Sequence, residues 1–371
     1  MREGSDRAKE AARHHLFVPI GEGSLRHAVS PLRPRMEAEC QEGPDAVNRQ
    51  AGALQAPLAE LLRRIKQHPP NIVLTCARGS SAHSATFGKH LVERYLGVPV
   101  GAFAPNMTTI YKQRLKLSGQ LFVAVSQSGR SDDLIESTTM AKAAGALTAA
   151  IVNDADSPLA NACDIMLPMA AGPELSISAT KSFVTSLSVW LHMIAGWAAL
   201  DELRASIEHL PDRLAAATRL DWGTALQTLR EAKSLVSIGR GPTLAIAREA
   251  ALKLKETSNI HAEAFSGAEF LHGPITLVES SYPVLLFTPT DQAATSVRLL
   301  AAKLRRKNAR VLITGHGRNR PGVLPALAPD HPDTDAVCLI QSFYVLTIRL
   351  AQSRGIDVDR PRHLQKVTRT R

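Results

Sequence analysis

Two stretches of the sequence share one pattern, NIVLTCARGSS at Asn71–Ser81 and SLVSIGRGPT at Ser234–Thr243. Each begins with a short apolar run typical of a buried strand, continues through a glycine-containing loop, and leads into a segment with helical spacing of apolar residues. Strand, loop and helix in this order are typical of proteins with a parallel sheet. The pattern therefore predicts an α/β fold.

The two stretches belong to a longer repeat, offset by 162 residues from Arg78 to Arg240. The same offset relates Phe122–Ser126 to Val284–Thr288 and, with one residue of drift, Ala146–Val152 to Ala309–Gly315. Three strands in register predict two copies of one domain, each a parallel sheet with helices on both faces, an α-β-α sandwich. We expect a flexible extension over 1–35, a first domain with its leading helix over 36–215, a second over 216–356, and a C-terminal tail over 357–371.

The composition narrows the class of protein. Of the 371 residues, 44% are apolar and 21% charged, as in ordinary soluble proteins. The net charge of +10 comes without aromatic residues interleaved in the basic clusters, which argues against nucleic-acid binding. Four widely spaced cysteines without a CxxC pair favour a reducing cytoplasm and no zinc site. The uncharged run 183–200 contains a histidine and several hydroxyl residues, so we interpret it as a buried helix rather than a membrane span.

A second loop resembles the first in chemistry. After the strand FVAVS come Gln127–Ser131 and a predicted helix beginning near Asp132. The hydroxyls of Ser126, Ser128 and Ser131, with the amides of a helix start, can bind one phosphate. Serine and glycine also simply cap helices, but two such loops on neighbouring strands favour phosphate. The nucleotide motifs GxxxxGK[ST] and GxGxxG are absent, so a small phosphorylated metabolite is the better candidate.

These motifs resemble a known family. The runs ARGSS, VSQSGRSDD at 125–133 and ELSISATKSF at 174–183 look like the sugar isomerase (SIS) domain, which binds phosphosugars. REAALKLKETSNIHAEAFSGAEFLHGP at 248–274 and DVDRPRHLQKVT at 357–368 resemble the isomerase half of glucosamine-6-phosphate synthases. The resemblance covers the chain from about Arg35 onward and implies two tandem SIS domains, with no metal or organic cofactor.

The resemblance also assigns binding residues. The positions matching those that hold the phosphate or line the sugar are Ser80, Ser81, Ser126, Gln127, Ser128, Ser131 and Ile177. Arg78 and Arg130 depart from the synthase pattern, where small or acidic residues are usual, and Ala179 replaces a hydroxyl residue. We expect phosphate binding to survive these changes, while recognition of the sugar hydroxyls is open.

A helix over residues 244–257 carries Glu249, Lys253 and Glu256 on one polar stripe, at i, i+4 and i+7. From the residues alone this stripe favours a solvated face with an ion pair. The resemblance implies instead that all three belong to the isomerase site. Glu256 would move a proton between C2 and C1 of the sugar, and Lys253 would stabilise the developing oxyanion or position Glu256.

Two further residues take roles from the resemblance. His272 would open the sugar ring, acting in the active site of the neighbouring subunit of a homodimer, whereas a lone histidine before Gly-Pro is otherwise usually structural. Lys366 would form a Schiff base with the keto sugar, whereas a tail lysine is normally an exposed charge. His261 and Glu263 are weaker candidates.

The expected reaction depends on whether a glutaminase domain precedes the first repeat. Residue 2 is Arg2, and the segment before the first repeat is short, so we expect no glutaminase domain in this protein. We therefore expect a SIS-type glucosamine-6-phosphate deaminase that forms fructose 6-phosphate and ammonia. Open alternatives are a galactosamine-type substrate, a fructosamine-phosphate deglycase, an aldose–ketose isomerase, a synthase with a separate glutaminase subunit, and a non-catalytic phosphosugar sensor. Neither a membrane nor a nucleic acid is expected as a partner.

Overall fold

The first five strands form one parallel sheet. A computed structural model describes residues 33–317 and 320–366; most of the predicted N-terminal extension and the last five residues lie outside these ranges. The strands are β1 (Val73–Ala77), β2 (Val100–Ala102), β3 (Leu121–Ser126), β4 (Leu147–Val152) and β5 (Ile165–Pro168). They are ordered β2-β1-β3-β4-β5, and every pairing is parallel.

The second sheet repeats the first in order and direction. Its strands are β6 (Ser234–Gly239), β7 (His261–Ser266), β8 (Pro283–Leu286), β9 (Arg310–Gly315) and β10 (Val323–Pro325). Read from the opposite edge, the order is β7-β6-β8-β9-β10, the same arrangement as in the first sheet. The predicted strands match the observed ones apart from shifts of one or two residues at their ends. The duplicated α/β fold is therefore confirmed.

Helices surround both sheets. They are α1 (Arg35–Gln41), α2 (Gly43–Gln67), α3 (Gly79–Leu96), α4 (Asn106–Thr109), α5 (Asp132–Ala143), α6 (Pro158–Ala162), α7 (Lys181–Trp197), α8 (Asp201–Ala217), α9 (Gly223–Leu229), α10 (Thr243–Ser258), α11 (Ala294–Arg306) and α12 (Pro332–Ser353). Two short 3₁₀ helices, Glu269–Leu271 and Pro274–Leu277, follow β7. The predicted boundary between domains at 215/216 falls near the end of α8.

Helix α7 confirms the interpretation of the uncharged run as a buried helix. Trp190 is fully buried on α7. A Cβ atom on Gly88 of α3 would lie 2.4 Å from the Trp190 ring, so the close approach of the two helices requires glycine there. Among the described residues, only α12 is long and apolar enough to span a membrane, and 89% of its apolar window is buried. Burial of this extent is typical of the core helix of a globular protein.

Helix α10 connects the two repeats. Its Arg248 Nη1 donates to Thr86 Oγ1 of α3 at 3.0 Å, and its Thr257 Oγ1 lies 2.9 Å from Thr347 Oγ1 of α12. α10 follows a strand of the second sheet, while α3 follows β1 of the first. This packing brings the polar stripe of α10 to the loops at the carboxyl edge of the first sheet.

Candidate active site

Two loops form one wall of a cavity at the carboxyl edge of the first sheet. β1 and β3 are neighbours, and the strand order places the topological switch point between them, where open α/β sheets bind ligands. The loop after β1 leads into α3, whose first turn contains Ser80 and Ser81. The loop after β3, residues 127–131, leads into α5. Both helix N-termini therefore border the same cavity, where their amides favour an anion.

The loop after β3 is a tight turn held by its own serines. The amides of Gly129 and Arg130 donate to Ser126 Oγ at 3.1 Å and Ser128 Oγ at 3.3 Å. Gly129 has a φ of +61°, and a Cβ atom there would lie 2.1 Å from the hydroxyl oxygen of Ser157, so the turn requires glycine. Within the described residues neither α3 nor α5 receives a side-chain N-cap hydrogen bond. Capping therefore does not explain these serines.

The opposite wall is the polar stripe of α10. Lys253 and Glu256 line the cavity, and Lys253 Nζ donates to Glu256 Oε2 at 2.6 Å. Lys253 Nζ also lies 3.4 Å from Glu249 Oε1. The side chains of Lys253 and Glu249 are 1% and 0% exposed. The residues alone favoured a solvated polar stripe on α10. That prediction is wrong, because the stripe faces α3 and the cavity.

Lys253 and Glu249 are an ionised pair. Burial opposes charge on the lysine, but the carboxylates of Glu249 and Glu256 outweigh it and hold the pKa of Lys253 above its ordinary value. Burial likewise opposes charge on Glu249. The ammonium of Lys253 and the hydrogen bonds from His83 and Ser80 outweigh it and lower the Glu249 pKa. Both groups are therefore charged at neutral pH.

Glu249 lies beneath the cavity rather than on its lining. Its Oε1 accepts hydrogen bonds from Ser80 Oγ at 2.9 Å and from the Tyr344 hydroxyl at 3.4 Å. Its Oε2 lies 2.8 Å from His83 Nδ1. His83 and Tyr344 are absent from the sequence-based predictions. The spacing of three residues from Ser80 on one helix could have indicated His83, whereas no local signal marks Tyr344.

A loop and the C-terminal segment form the third side. Ile177 and Ala179 line the cavity from the loop before α7, and Lys366 lines it from the C-terminal segment. Lys366 Nζ donates to the Ser176 carbonyl at 2.6 Å and lies 3.6 Å from Glu174 Oε2. Glu174 is buried and accepts hydrogen bonds from the amides at the start of α7. Neither Glu174 nor Ser176 was predicted as a site residue.

The cavity has a volume of about 310 Å³, sufficient for a phosphorylated monosaccharide. Its lining is Arg78, Gly79, Ser80, Ser81, Ser126, Gln127, Ser128, Ser131, Ile177, Ala179, Lys253, Glu256, Leu364, Gln365 and Lys366. All seven predicted binding residues are present, together with three of the five predicted catalytic ones. The structure therefore brings together residues from both repeats and the tail.

Three other candidates lie away from this cavity. His272 is exposed in the turn between the two 3₁₀ helices, and His261 and Glu263 are exposed on β7. Within the described chain, His272 is not part of the cavity lining. Its predicted contribution to a neighbouring subunit stays a prediction.

The two arginines that depart from the synthase pattern are engaged in ion pairs. Arg78 Nε and Nη2 both donate to Asp133 Oδ2, at 3.0 and 2.8 Å, so the guanidinium compensates a buried carboxylate in the first turn of α5. Arg130 Nη2 donates to Asp154 at 2.7 Å. Arg78 also lines the cavity. Among the residues the structure describes, no cluster of three or more His, Cys, Asp and Glu could hold a metal ion.

Comparison with known proteins gives a family match. Residues 68–195 and 228–320 match the SIS domain. A glutamine–fructose-6-phosphate aminotransferase (isomerizing) of Symbiobacterium thermophilum is 32% identical over 315 residues, covering 79% of this chain and 51% of that protein. The chain thus spans about half the length of the curated relatives it matches.

Solved structures agree with this match. A Silicibacter pomeroyi protein provisionally named a phosphosugar isomerase is 41% identical, with a TM-score of 0.83 over 88% of this chain and 100% of that one. A glucosamine-6-phosphate deaminase of Thermotoga maritima has a TM-score of 0.69 over 91% of this chain and 100% of that one. Its 22% identity shows a common fold only.

Proposed function

The chain belongs to the SIS domain family, and from that premise we propose that it is an enzyme acting on amino-sugar phosphates. The proposed reaction converts glucosamine 6-phosphate and water to fructose 6-phosphate and ammonia. One observation carries the proposal: a single cavity joins a cradle of serines and helix N-termini to the Lys253–Glu256 pair and to Lys366.

The cradle supports a phosphorylated substrate. Helices α3 and α5 point their N-termini toward it, and hydroxyl-bearing residues of both loops line it. Free amide donors and helix dipoles together favour an anion. The phosphate would bind here, leaving the sugar carbons to extend toward α10.

The opposite wall supports a proton transfer. In the open-chain sugar, the Glu256 carboxylate would remove the C2 proton, and the electron pair would form an enolamine. A proton from the substrate's own ammonium group would pass to O1, and return of the C2 proton to C1 would then give C1 as CH₂OH and C2 as an iminium group. Water would add to C2 and release ammonia, leaving the ketone of fructose 6-phosphate. Lys253 would hold Glu256 in place and compensate negative charge on the oxygen.

Lys366 would assist the last step by imine exchange. After its ammonium group gives up a proton, the Lys366 amine would add to C2, and the departing nitrogen would take up that proton and leave as ammonium. Water would hydrolyse the resulting Schiff base to the ketone and the free lysine. The contact of Lys366 with the Ser176 carbonyl holds this side chain at the cavity. The same cavity therefore contains groups for both proton transfer and release of ammonia.

We place the ring-opening histidine in a homodimer, as His272 of the partner subunit. Leu271 and Leu277, on either side of His272, are 42% and 47% exposed, so the surface around His272 offers apolar side chains to a partner subunit. The four cysteines are free and buried, which supports the proposed cytoplasmic location.

A second candidate is a synthase-type aminotransferase. The Symbiobacterium thermophilum relative is a glutamine-dependent aminotransferase, and this chain matches only half of it. A chain of this kind would run the reaction toward glucosamine 6-phosphate with ammonia from another protein. The deglycase, the simple isomerase and the sensor use the same cradle, but a sensor needs none of the proton-transfer residues.

The deciding experiment supplies purified protein with glucosamine 6-phosphate and no glutamine, and measures ammonia and fructose 6-phosphate. We expect both products in equal amounts. If the phosphosugar binds and no ammonia is released, the deaminase proposal is refuted. Fructosamine 6-phosphate and galactosamine 6-phosphate, tested in parallel, separate the deglycase and the epimeric substrate. Fructose 6-phosphate with ammonium tests the synthetic direction.

A further inference from the structure

We propose that His83 is a positioning residue of this site, which acts through Glu249 on Ser80 and on the Lys253–Glu256 pair. The inference deepens the proposed function and rests on it for the identity of the proton-transfer step. His83 lies on α3, one turn after Ser80, and its side chain is 20% exposed. It lines no part of the cavity, so any effect on the reaction is indirect.

The contact between His83 and Glu249 has a defined polarity. His83 Nδ1 lies 2.8 Å from Glu249 Oε2. A carboxylate only accepts hydrogen bonds, and Glu249 is ionised because its partners lower its pKa. Nδ1 is therefore the donor. This bond joins α3, which follows a strand of the first sheet, to α10, which follows a strand of the second.

Both carboxylate oxygens of Glu249 accept hydrogen bonds, but they differ in the number of donors near them. Oε1 has Ser80, Tyr344 and Lys253 within 2.9, 3.4 and 3.4 Å. Among the described residues, Oε2 has His83 Nδ1 as its hydrogen-bond partner, at 2.8 Å. Glu249 is fully buried, so water cannot readily replace a lost donor, and an unmet carboxylate oxygen is costly.

Loss of the hydrogen bond from His83 would change the position of the Lys253 side chain. Its Nζ is 2.6 Å from Glu256 and 3.4 Å from Glu249, so it is shared between the two carboxylates with Glu256 as the closer partner. Without the His83 donor, Glu249 would draw Lys253 toward itself, because the ammonium is the nearest cation. The hydrogen bond to Glu256 would lengthen, and the proton-transferring carboxylate would lose its orientation. His83 thus keeps Lys253 with Glu256.

Replacing His83 by asparagine or by leucine tests whether the hydrogen-bond donor matters. The amide nitrogen of asparagine can occupy the place of Nδ1, so His83→Asn retains the donor, whereas His83→Leu keeps bulk and removes the donor. His68→Leu, at an exposed position after α2, controls for loss of a histidine as such. The readouts are kcat and KM for glucosamine 6-phosphate, exchange of the C2 proton with deuterated water, and thermal unfolding.

We expect His83→Leu to lower kcat by about 10- to 100-fold, as misplacement of a reacting group does, with KM within about threefold of wild type because the phosphate cradle is retained. His83→Asn should recover kcat to within about threefold of wild type, as expected when the donor is kept. His68→Leu should match wild type. Equal loss in Asn and Leu variants, or no loss in the Leu variant, would overturn the role of His83.

The two proposals fail in different ways. A wild-type protein that exchanges the C2 proton without releasing ammonia refutes the deaminase, and the variant pattern in exchange still decides the role of His83. Ammonia release with a flat variant pattern refutes His83 alone. A wild-type protein that exchanges no proton overturns both.

Discussion

The ammonium nitrogen of Lys366 donates a hydrogen bond to the carbonyl oxygen of Ser176 at 2.6 Å, which attaches the C-terminal segment to the loop before α7. That loop is held in turn by Glu39 of α1, whose carboxylate accepts hydrogen bonds from the Leu175 amide, the Ser176 amide and the Ser176 hydroxyl. Glu39, a buried residue of α1, therefore stabilises the loop to which Lys366 is hydrogen-bonded.

Replacing Glu39 should release this segment. In Glu39→Ala, three donors lose their acceptor, and we expect the loop and the attached Lys366 to become more mobile. Tryptic cleavage after Arg362 and Lys366 should become faster than in the wild type, and product formation should fall. Glu202→Gln, at an exposed position in the first turn of α8, is the control. Unchanged cleavage rates in Glu39→Ala would show that the tail is held by other contacts.

Glu256→Gln should separate binding from chemistry. The amide keeps the size of the side chain but is not a base, so we expect C2-proton exchange to fall by at least about 100-fold. Phosphosugar affinity measured by calorimetry should stay within about threefold, since the cradle lies on the opposite wall. Exchange that persists in this variant would place the base elsewhere, and lost binding would show a misfolded site.

Mixing two inactive variants tests the contribution of His272 across subunits. If each site uses Glu256 of one chain and His272 of the other, a hybrid of Glu256→Gln and His272→Ala chains has one intact site. Random reassociation of the mixed subunits should then restore about a quarter of wild-type activity, because half the dimers are hybrids with one working site of two. Activity that stays at the level of the parents after subunit exchange would place His272 in the site of its own chain or outside it.

Gly129→Ala should destabilise the loop after β3 more than an ordinary glycine replacement. The left-handed φ costs about 1–2 kcal/mol for a residue with a Cβ atom, and the close contact with Ser157 costs about 1–3 kcal/mol more. Gly119→Ala is the matched control, since Gly119 has a φ of +72° and no atom within 4 Å of its Cβ position. Denaturant unfolding measures both, and calorimetry should show weaker phosphosugar binding for Gly129→Ala alone. Equal free energies of unfolding would contradict the clash.

The thiols should resist alkylation in the folded protein. Burial raises the pKa of Cys76 and of Cys338 to about 12, so at pH 8 almost no thiolate is present. All four cysteines are buried. Iodoacetamide should label them slowly in the native state and rapidly in denaturant, as followed by mass spectrometry. Rapid native labelling of Cys76 or Cys338 would contradict the burial of these thiols.

Local sequence patterns determined the architecture of this protein. An apolar run followed by a glycine-containing loop identified the central strands, and the constant offset from Arg78 to Arg240 identified the duplication. The two cradle loops were found in the same way, because a strand, its loop and its helix are contiguous in the chain. This local pattern predicted the serines of the site, whereas Glu256, Lys253 and Lys366 were predicted from the family resemblance.

The tertiary structure decided what surrounds those residues. A polar stripe on a helix looks the same in sequence whether it faces water or a buried partner, so the burial of Glu249 and Lys253 could not be derived from α10 by itself. Their environment comes from α3, which meets α10 only when the two repeats pack together, and from α12, which lies far from α10 in the chain. The partners of Glu249 are far from it in the chain, His83 at 166 residues and Tyr344 at 95. Such contacts have no local signature, because they depend on the packing of whole helices rather than on the spacing of neighbouring residues.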